Sequence, residues 1–361
     1  MLRVAVLFLN GGCASTALLP MEIFRNAGVL WNLLNNRAPV PRFHVTTASV
    51  RGEPVVTDHL VSLTPSCALE EVDRPDIVFV PAGGLPFETL LRTGYVLEDV
   101  IERNRPVIPW LRSWASDGAR IAGVCSGVAL LAEAGLLDGK RATTHWGLVD
   151  SYRSRFPQVD WQPEYLITDS GDVFCGGGIN SAADLSLYLV ERFSSRDLAR
   201  ECAKALLIEM PRMWQVTFAD AALRKDHNDE IIRRAQDWMH EHFCSALSMD
   251  AVAARVGMSP RNFIRRFKAA TGRTPLSYVH TIRITMAKRF LEDGQQTIQA
   301  VSQAVGYDDV IFFRDLFKRH TGLCPTEYRS RFGPPPGTAI RNTLKLDSMS
   351  DSLPHDTATH H

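Results

Sequence analysis

A duplication near the C-terminus constrains this chain more than any other feature. Ser248-Met-Asp-Ala-Val-Ala-Ala-Arg-Val-Gly257 is echoed by Thr297-Ile-Gln-Ala-Val-Ser-Gln-Ala-Val-Gly306. Both are followed by a turn, a helical run and the pairs Phe267-Lys268 and Phe317-Lys318. Thr271-Gly272, Pro275 and Tyr278 recur as Thr321-Gly322, Pro325 and Tyr328. The offset is 49 residues up to the glycines and 50 from the phenylalanines, so the second copy has one extra residue in its turn. Each copy reads as helix, tight glycine turn, helix, and two such helix-turn-helix units share one long helical run.

The second helix of the first copy shows what the motif is for. Ser259 fits the N-cap and Pro260 the first helical position, where its missing N–H costs nothing. Phe263, Phe267 and Ala270 form the inward stripe. Arg261, Arg265 and Lys268 form the opposite stripe, with Asn262 on its flank. A major-groove reader needs this set: Arg for guanine, Asn for adenine, Lys for phosphate. Three charges on a helix are ordinarily a solvated face, and the duplicated architecture is what favours DNA. In the second copy Ile311, Arg314 and Lys318 are the expected contacts, while Asp315 stands where the first copy has Arg265. An acid repels phosphate, so the first copy is expected to carry more of the base reading.

These residues, from about Ile231 to Phe332, resemble the AraC family of transcription regulators. The most specific part is the run from Val305-Gly-Tyr-Asp-Asp to Pro325-Thr-Glu-Tyr-Arg329. Residues 228–332 hold 16 Lys and Arg against 11 Asp and Glu, whereas residues 1–227 hold 22 against 26. The basic excess lies with the repeats, as a nucleic-acid partner requires.

The chain of 361 residues is long enough for two domains. Its first part alternates strands and helices. Residues 2–9, Phe43–Ser49, Asp76–Val80 and Arg120–Val124 read as buried strands. Met21–Asn35, Tyr95–Arg105, Val107–Asp117, Val128–Ala134 and Ala182–Phe193 read as helices, with a late strand at Phe174–Gly178. That pattern predicts an α/β doubly wound parallel sheet followed by an all-α double helix-turn-helix domain. Four segments are expected: an α/β sensor domain over 1–193, a helical connector over 194–227, a DNA-binding domain over 228–332, and a disordered tail over 333–361. The terminal His360-His361 reads as part of that tail, and no metal or cofactor is implied. Seven cysteines without framework spacing argue for a reducing compartment. Without a signal peptide or a transmembrane run, the expected location is cytoplasmic, with no membrane partner.

One cysteine stands apart. Val124-Cys125-Ser126 places a thiol on a strand-to-helix elbow, where the helix dipole would favour a thiolate and lower its pKa. Loops at the carboxyl ends of parallel strands converge on one crevice. Asn10, Gly11, Gly83, Gly84, Cys125 and Ser126 should meet there, and His145 and Trp146 could join them. Cys and His in a glycine-walled crevice are the minimal set for nucleophilic chemistry. A small buried Cys125 and a structural His145 are the plainer alternative, and Cys13, Cys67, Cys175, Cys202, Cys244 and Cys324 read as structural.

The segment from Gly123-Val-Cys-Ser-Gly to Thr143-Thr-His-Trp146, with Pro81-Ala-Gly-Gly84 and Gly176-Gly-Gly-Ile-Asn-Ser-Ala-Ala-Asp184, carries a second resemblance. It is similar to the PfpI-type, class I glutamine-amidotransferase-like domains (flavodoxin-like in fold), over roughly residues 3–193, and especially to those of GlxA-like AraC-family regulators. The resemblance implies that Cys125 stands at the nucleophile position and His145 at the histidine position. Many members carry an acid in the first strand-to-helix loop. Aligning Pro20-Met-Glu-Ile-Phe24 puts Thr16 there instead, with Glu22 farther along. The implied function is a promoter-binding regulator that senses a nitrogenous metabolite in a non-catalytic pocket. Its partners would be double-stranded promoter DNA, a small-molecule effector, a second copy in a homodimer, and RNA polymerase. The rival is a cysteine hydrolase or amidase, with Cys125 and His145 catalytic, that uses the DNA-binding half for autoregulation. A third reading makes the α/β half a dimerisation module.

Overall fold

The computed structural model describes the chain except residues 58–60, 85–90, 92–93, 214, 216–226, 228, 246, 295 and 334–361. The expected tail therefore lies almost wholly outside the described residues. The described residues divide by their contacts into a unit of Met1–Asp226 with Asp315–Leu323, built on an α/β fold, and a helical unit of His227–Arg314 with the residues from Cys324 on.

The α/β unit is built on a seven-stranded sheet. Its order is Ile167–Asp169, Val173–Gly176, Arg120–Val124, Ile77–Val80, Leu2–Leu7, Phe43–Ser49 and Cys67–Ala68. Every pairing is parallel except that of the first two strands. Side chains alternate across it. Val4, Val6, Ile77 and Phe79 face one core with the helices Ser15–Asn26, Ser181–Phe193 and Arg196–Leu206. Leu7, Val78, Val80 and Ile121 face the other, with Leu97–Asn104, Ile108–Ser116 and Val128–Glu133. Covering on both faces explains why these strands read as continuous apolar runs.

Two expectations need correction. The stretch expected as one helix, Met21–Asn35, is two: Ser15–Asn26, which starts earlier and carries Pro20 in its interior, and Leu30–Leu34. Thr16, Ala17, Pro20, Ile23 and Phe24 are buried in a helical stripe, and that packing offsets the hydrogen bond the proline deletes, a loss of about 3 kcal/mol. The helix stops before Gly28, whose φ is +80° and whose missing Cβ leaves room for the Val40 carbonyl. The second correction concerns 194–227. Its helix, Arg196–Leu206, is N-capped by Ser195 and buries Ala199, Cys202 and Ala203 against the α/β core. Leu166 N–H then bonds Met213 O, and Gln215 N–H bonds Glu164 O. This segment is therefore the last layer of the α/β unit through Gln215, and not a connector.

From Glu230 on, the chain forms the helices Glu230–Glu241, Met249–Arg255, Pro260–Thr271, Pro275–Asp293, Ile298–Ala304, Val310–Thr321 and Pro325–Phe332. The duplication is physical as well as textual. Thr271 donates to Phe267 O and accepts from Arg273 N–H at 2.7 and 3.2 Å; Thr321 does the same with Phe317 and Leu323 at 2.8 and 3.2 Å. Gly272 and Gly322 follow with φ of +78° and +77°, the left-handed conformation that ends a helix with least strain at glycine. Arg283, on the long helix between the copies, donates to the carbonyls of Phe243, Ser245 and Gly306.

Candidate functional site

The first recognition helix, Pro260–Thr271, buries Phe263 and Phe267 completely. Ser259, Arg261, Asn262, Arg265 and Lys268 are all exposed on its other side, as the wheel requires. Arg265 Nη2 donates to Asn262 Oδ1 at 2.9 Å, so the amide does not present itself alone. In the second recognition helix, Val310–Thr321, Ile311, Arg314, Asp315 and Lys318 are exposed while Phe313 and Phe317 are buried. Asp309 caps it, accepting from the N–H groups of Ile311 and Phe312.

One residue of this face was not anticipated. Arg266 forms a two-pronged ion pair with Asp229, Nε to Oδ2 at 2.6 Å and Nη2 to Oδ1 at 2.9 Å. Asp229 also caps the Glu230–Glu241 helix. Hydrogen bonding from Arg266 holds the Asp229 carboxyl below the usual carboxylate range. The partners lie 37 residues apart, which no local spacing rule links.

In the α/β unit the glycine loops converge as expected. A Cβ on Gly12 would fall 1.8 Å from Ala82 O, one on Gly84 would fall 2.3 Å from Gly11 O, and one on Gly127 would fall 2.1 Å from Pro81 O. Backbone packs on backbone there, so only glycine fits. Ser126 Oγ donates to Gly83 O, Thr144 Oγ1 to Cys125 O, and Tyr152 OH to Ser126 O. Asn10 is exposed on its turn, and Gly11 is buried beneath it with φ of +69°.

Cys125 has φ of +52°, rare for a residue with a Cβ, and is only 8% exposed. The expectation of a lowered pKa is overturned. Burial pushes its thiol up to about 11, and hydrogen bonding from Ser126 offsets only part of that rise. The helix that should polarise it, Val128–Glu133, is six residues long, and the desolvation it would have to overcome is nearly complete. Among the described residues no hydrogen bond joins Cys125 to His145 or Thr16. Thr16 is fully buried; its hydroxyl donates to Cys13 O at 2.6 Å and accepts from Ala82 N–H at 3.1 Å.

His145 belongs to a different space. It is half-buried, stacks on Trp146 at 5.3 Å between centroids, and accepts from Gly147 N–H on Nδ1 at 3.1 Å. Burial lowers its pKa. His145 and Trp146 line a cavity of ≈ 360 Å³ with Leu166, Gly178, Ile179, Asn180, Ser181, Arg212 and Gln215. Gly178 leaves the room that the imidazole occupies, with a Cβ there only 3.1 Å from His145 Cδ2. The expected ligand set is thus split: His145 and Trp146 face the cavity, while Asn10, Gly11, Gly83, Gly84, Cys125 and Ser126 do not line it.

The polar frame of this cavity comes from residues that sequence reasoning missed. Arg212 donates its N–H, Nε and Nη2 to the buried Asp184 carboxylate at 2.8, 3.1 and 2.5 Å. Gln215 is buried, and its amide donates to Thr143 Oγ1, Thr144 O and Tyr165 O.

Residues 3–192 match the model of the DJ-1/PfpI family, and residues 252–331 match that of a helix-turn-helix domain. The chain belongs to the DJ-1/PfpI family. It is 25% identical over 295 residues to the HTH-type transcriptional regulator CdhR of Pseudomonas aeruginosa, covering 81% of this chain and 83% of that one. It is 29% identical over 305 residues to the HTH-type transcriptional regulator GlxA of Rhizobium meliloti, covering 84% and 89%. The isonitrile hydratase of Pseudomonas putida is 30% identical over 148 residues, but covers only 41% of this chain and 58% of its own. The relatives aligned through both domains are regulators, whereas the enzyme aligns with less than half of the chain. The chain is a transcription regulator with a DNA-binding helix-turn-helix domain. Among its described residues no helix is long and apolar enough to cross a membrane.

Proposed function

We propose that this regulator binds a small-molecule effector in the cavity at His145, holds it without turnover, and passes its presence to a promoter-bound helix-turn-helix domain as a homodimer. One observation carries the reading: the thiol on the Cys125 elbow is desolvated and has no hydrogen-bonded base among the described residues, while an open, polar-framed cavity lies one residue beyond its Thr144 anchor. A nucleophile must reach its anion to react. Effector control instead requires unequal affinity for two protein states, which hydrolysis of the effector would erase. A nitrogenous metabolite fits the resemblance to GlxA-like regulators. The aromatic face of Trp146 and the amide and imidazole groups offer apolar contact and hydrogen bonds to such a molecule.

The test is a thermal-shift screen of nitrogenous metabolites on wild type and Cys125→Ala. A ligand at about 100 times its Kd should stabilise the folded state by about 2.7 kcal/mol and raise the Tm by about 5–10 °C in both proteins. Mass spectrometry should then find the ligand unchanged after incubation, and promoter binding should respond to it. Steady, Cys125-dependent product formation would establish the hydrolase instead.

A further inference from the structure

The two recognition helices stand on one scaffold and present opposite chemistry. At an offset of 50 residues, Phe263 and Phe267 correspond to Phe313 and Phe317, and all four are fully buried. The same offset maps Arg261 onto Ile311, Asn262 onto Phe312, Arg265 onto Asp315 and Lys268 onto Lys318. The Lys that suits a phosphate is kept, and the base-facing residues are inverted. We infer that the first helix reads guanine, whereas the second reads a thymine methyl through Ile311 and a base bearing an amino group through Asp315. The inference rests on the helix-turn-helix units being the DNA-reading elements.

On the first helix every outward group is a donor. Asn reads adenine by accepting from N6 while donating to N7. Asn262 Oδ1 accepts from Arg265 Nη2, which engages one of its two lone pairs and sets the amide beside a guanidinium rich in donors. Guanine, with acceptors at O6 and N7, is the base that matches them. The helix carries four cations and no acid.

On the second helix Ile311 is 69% exposed, and the packed core gains nothing from it there. The thymine methyl is the apolar group of the major groove, so an aliphatic side chain at a base-reading position selects for it. Phe312 packs beside the Tyr307 and His280 rings and flanks Ile311. The exposed Asp315 side chain makes no ion pair among the described residues. An ionised carboxylate only accepts, so it suits the cytosine or adenine amino group and repels the O6 and N7 edge of guanine.

The experiment is selection of the full-length protein on a random duplex library, followed by sequencing, for wild type, Arg265→Ala, Ile311→Ala, Ile311→Arg and Asp315→Asn. All three positions are exposed, so folding is not at stake. Wild type should select an asymmetric site with a guanine block and a separate block of thymine beside cytosine or adenine. Arg265→Ala should weaken one guanine preference by about 10–100-fold. Ile311→Ala should weaken one thymine preference by about 4-fold, the worth of roughly one buried methyl, and Ile311→Arg should replace it with guanine. Asp315→Asn should move its neighbour toward adenine and tighten binding to all sequences. Two guanine blocks, or a selected site unchanged by the substitutions at 311 and 315, would overturn the inference and leave the regulator intact. Failure to select any sequence would overturn both.

Discussion

The Cys125 elbow and the His145 cavity are tied by one hydrogen bond, from Thr144 to the Cys125 carbonyl, yet they are built in opposite ways. At the elbow, glycine loops close on one another and leave no space between backbones. The hydroxyls of Ser126 and Tyr152 are spent on carbonyls. Burial there keeps a thiol neutral. At the cavity, polar groups are spent on fixing the frame: Arg212 on Asp184, Gln215 on the Thr143 hydroxyl and the Thr144 and Tyr165 carbonyls. The imidazole and indole faces are left toward open space. A sequence motif names the residues at a crevice; solvent access decides which of them can bind or react.

The largest effect that could break this comparison is chemical. Cys125 at a pKa of about 11 carries on the order of one thiolate per thousand at pH 8, and it is shielded besides. Iodoacetamide should therefore alkylate the exposed Cys244 at least about 100-fold faster than Cys125 in the folded protein, as read by peptide mass spectrometry. Comparable rates would mean that the elbow opens to solvent, and would restore the hydrolase reading. Next comes the cavity frame. Arg212→Ala strips the Asp184 carboxylate, 6% exposed, of the guanidinium and leaves it the backbone N–H of residue 212. It should cost about 2–3 kcal/mol in urea unfolding, a figure kept low because Arg212 itself is partly solvated. Effector binding should weaken with it. Smaller again is the backbone effect at the elbow. Cys125→Gly relieves the strain of φ +52° and should stay within about 1 kcal/mol of wild type, whereas the β-branched Cys125→Val should lose more than about 2 kcal/mol. A Cys125→Val variant as stable as Cys125→Gly would argue against the left-handed elbow.

Much of this was legible in the sequence. The strands at Phe43–Ser49 and Arg120–Val124 are readable to the residue, because short stretches rich in β-branched and apolar residues stand out between turns, even where His and Thr interrupt the first of them. The recognition helices were readable because caps, prolines and paired phenylalanines recur at fixed spacing. The first helix is hard to place because Pro20 lies in its interior, and only burial against the sheet shows that its cost is tolerated. The 196–206 helix was taken for a connector because its amphipathic pattern does not name the partner it packs on. The bonds that join Arg212 to Asp184 and Gln215 to Thr143 are not legible in the sequence: the partners lie 28 and 72 residues apart. The elbow was placed correctly but its electrostatics were not, since a helix N-terminus is visible in sequence and desolvation is not.

The smallest predicted effect discriminates the cavity most finely, because it asks whether His145 is held neutral. Burial lowers its pKa, and Nδ1 accepts from Gly147 N–H, a bond that only an unprotonated Nδ1 can make. In the unfolded chain the imidazole titrates near its ordinary 6.5. Between that value and the lower folded one, the unfolded state binds more protons, so stability rises with pH. The contribution of His145 is therefore fully present above about 6.5 and lost as pH falls toward the folded pKa. Urea midpoints measured from pH 7.5 down to 5 should fall for wild type, and the fall should be shallower in His145→Asn. The asparagine Oδ1 can accept from the same N–H but takes up no proton, so the two curves should differ in slope rather than in their high-pH plateau. If the Asn variant follows the wild-type curve throughout, then His145 is already solvated. The cavity would then resemble open surface more than a site, and the contrast with the elbow would rest on Cys125 alone.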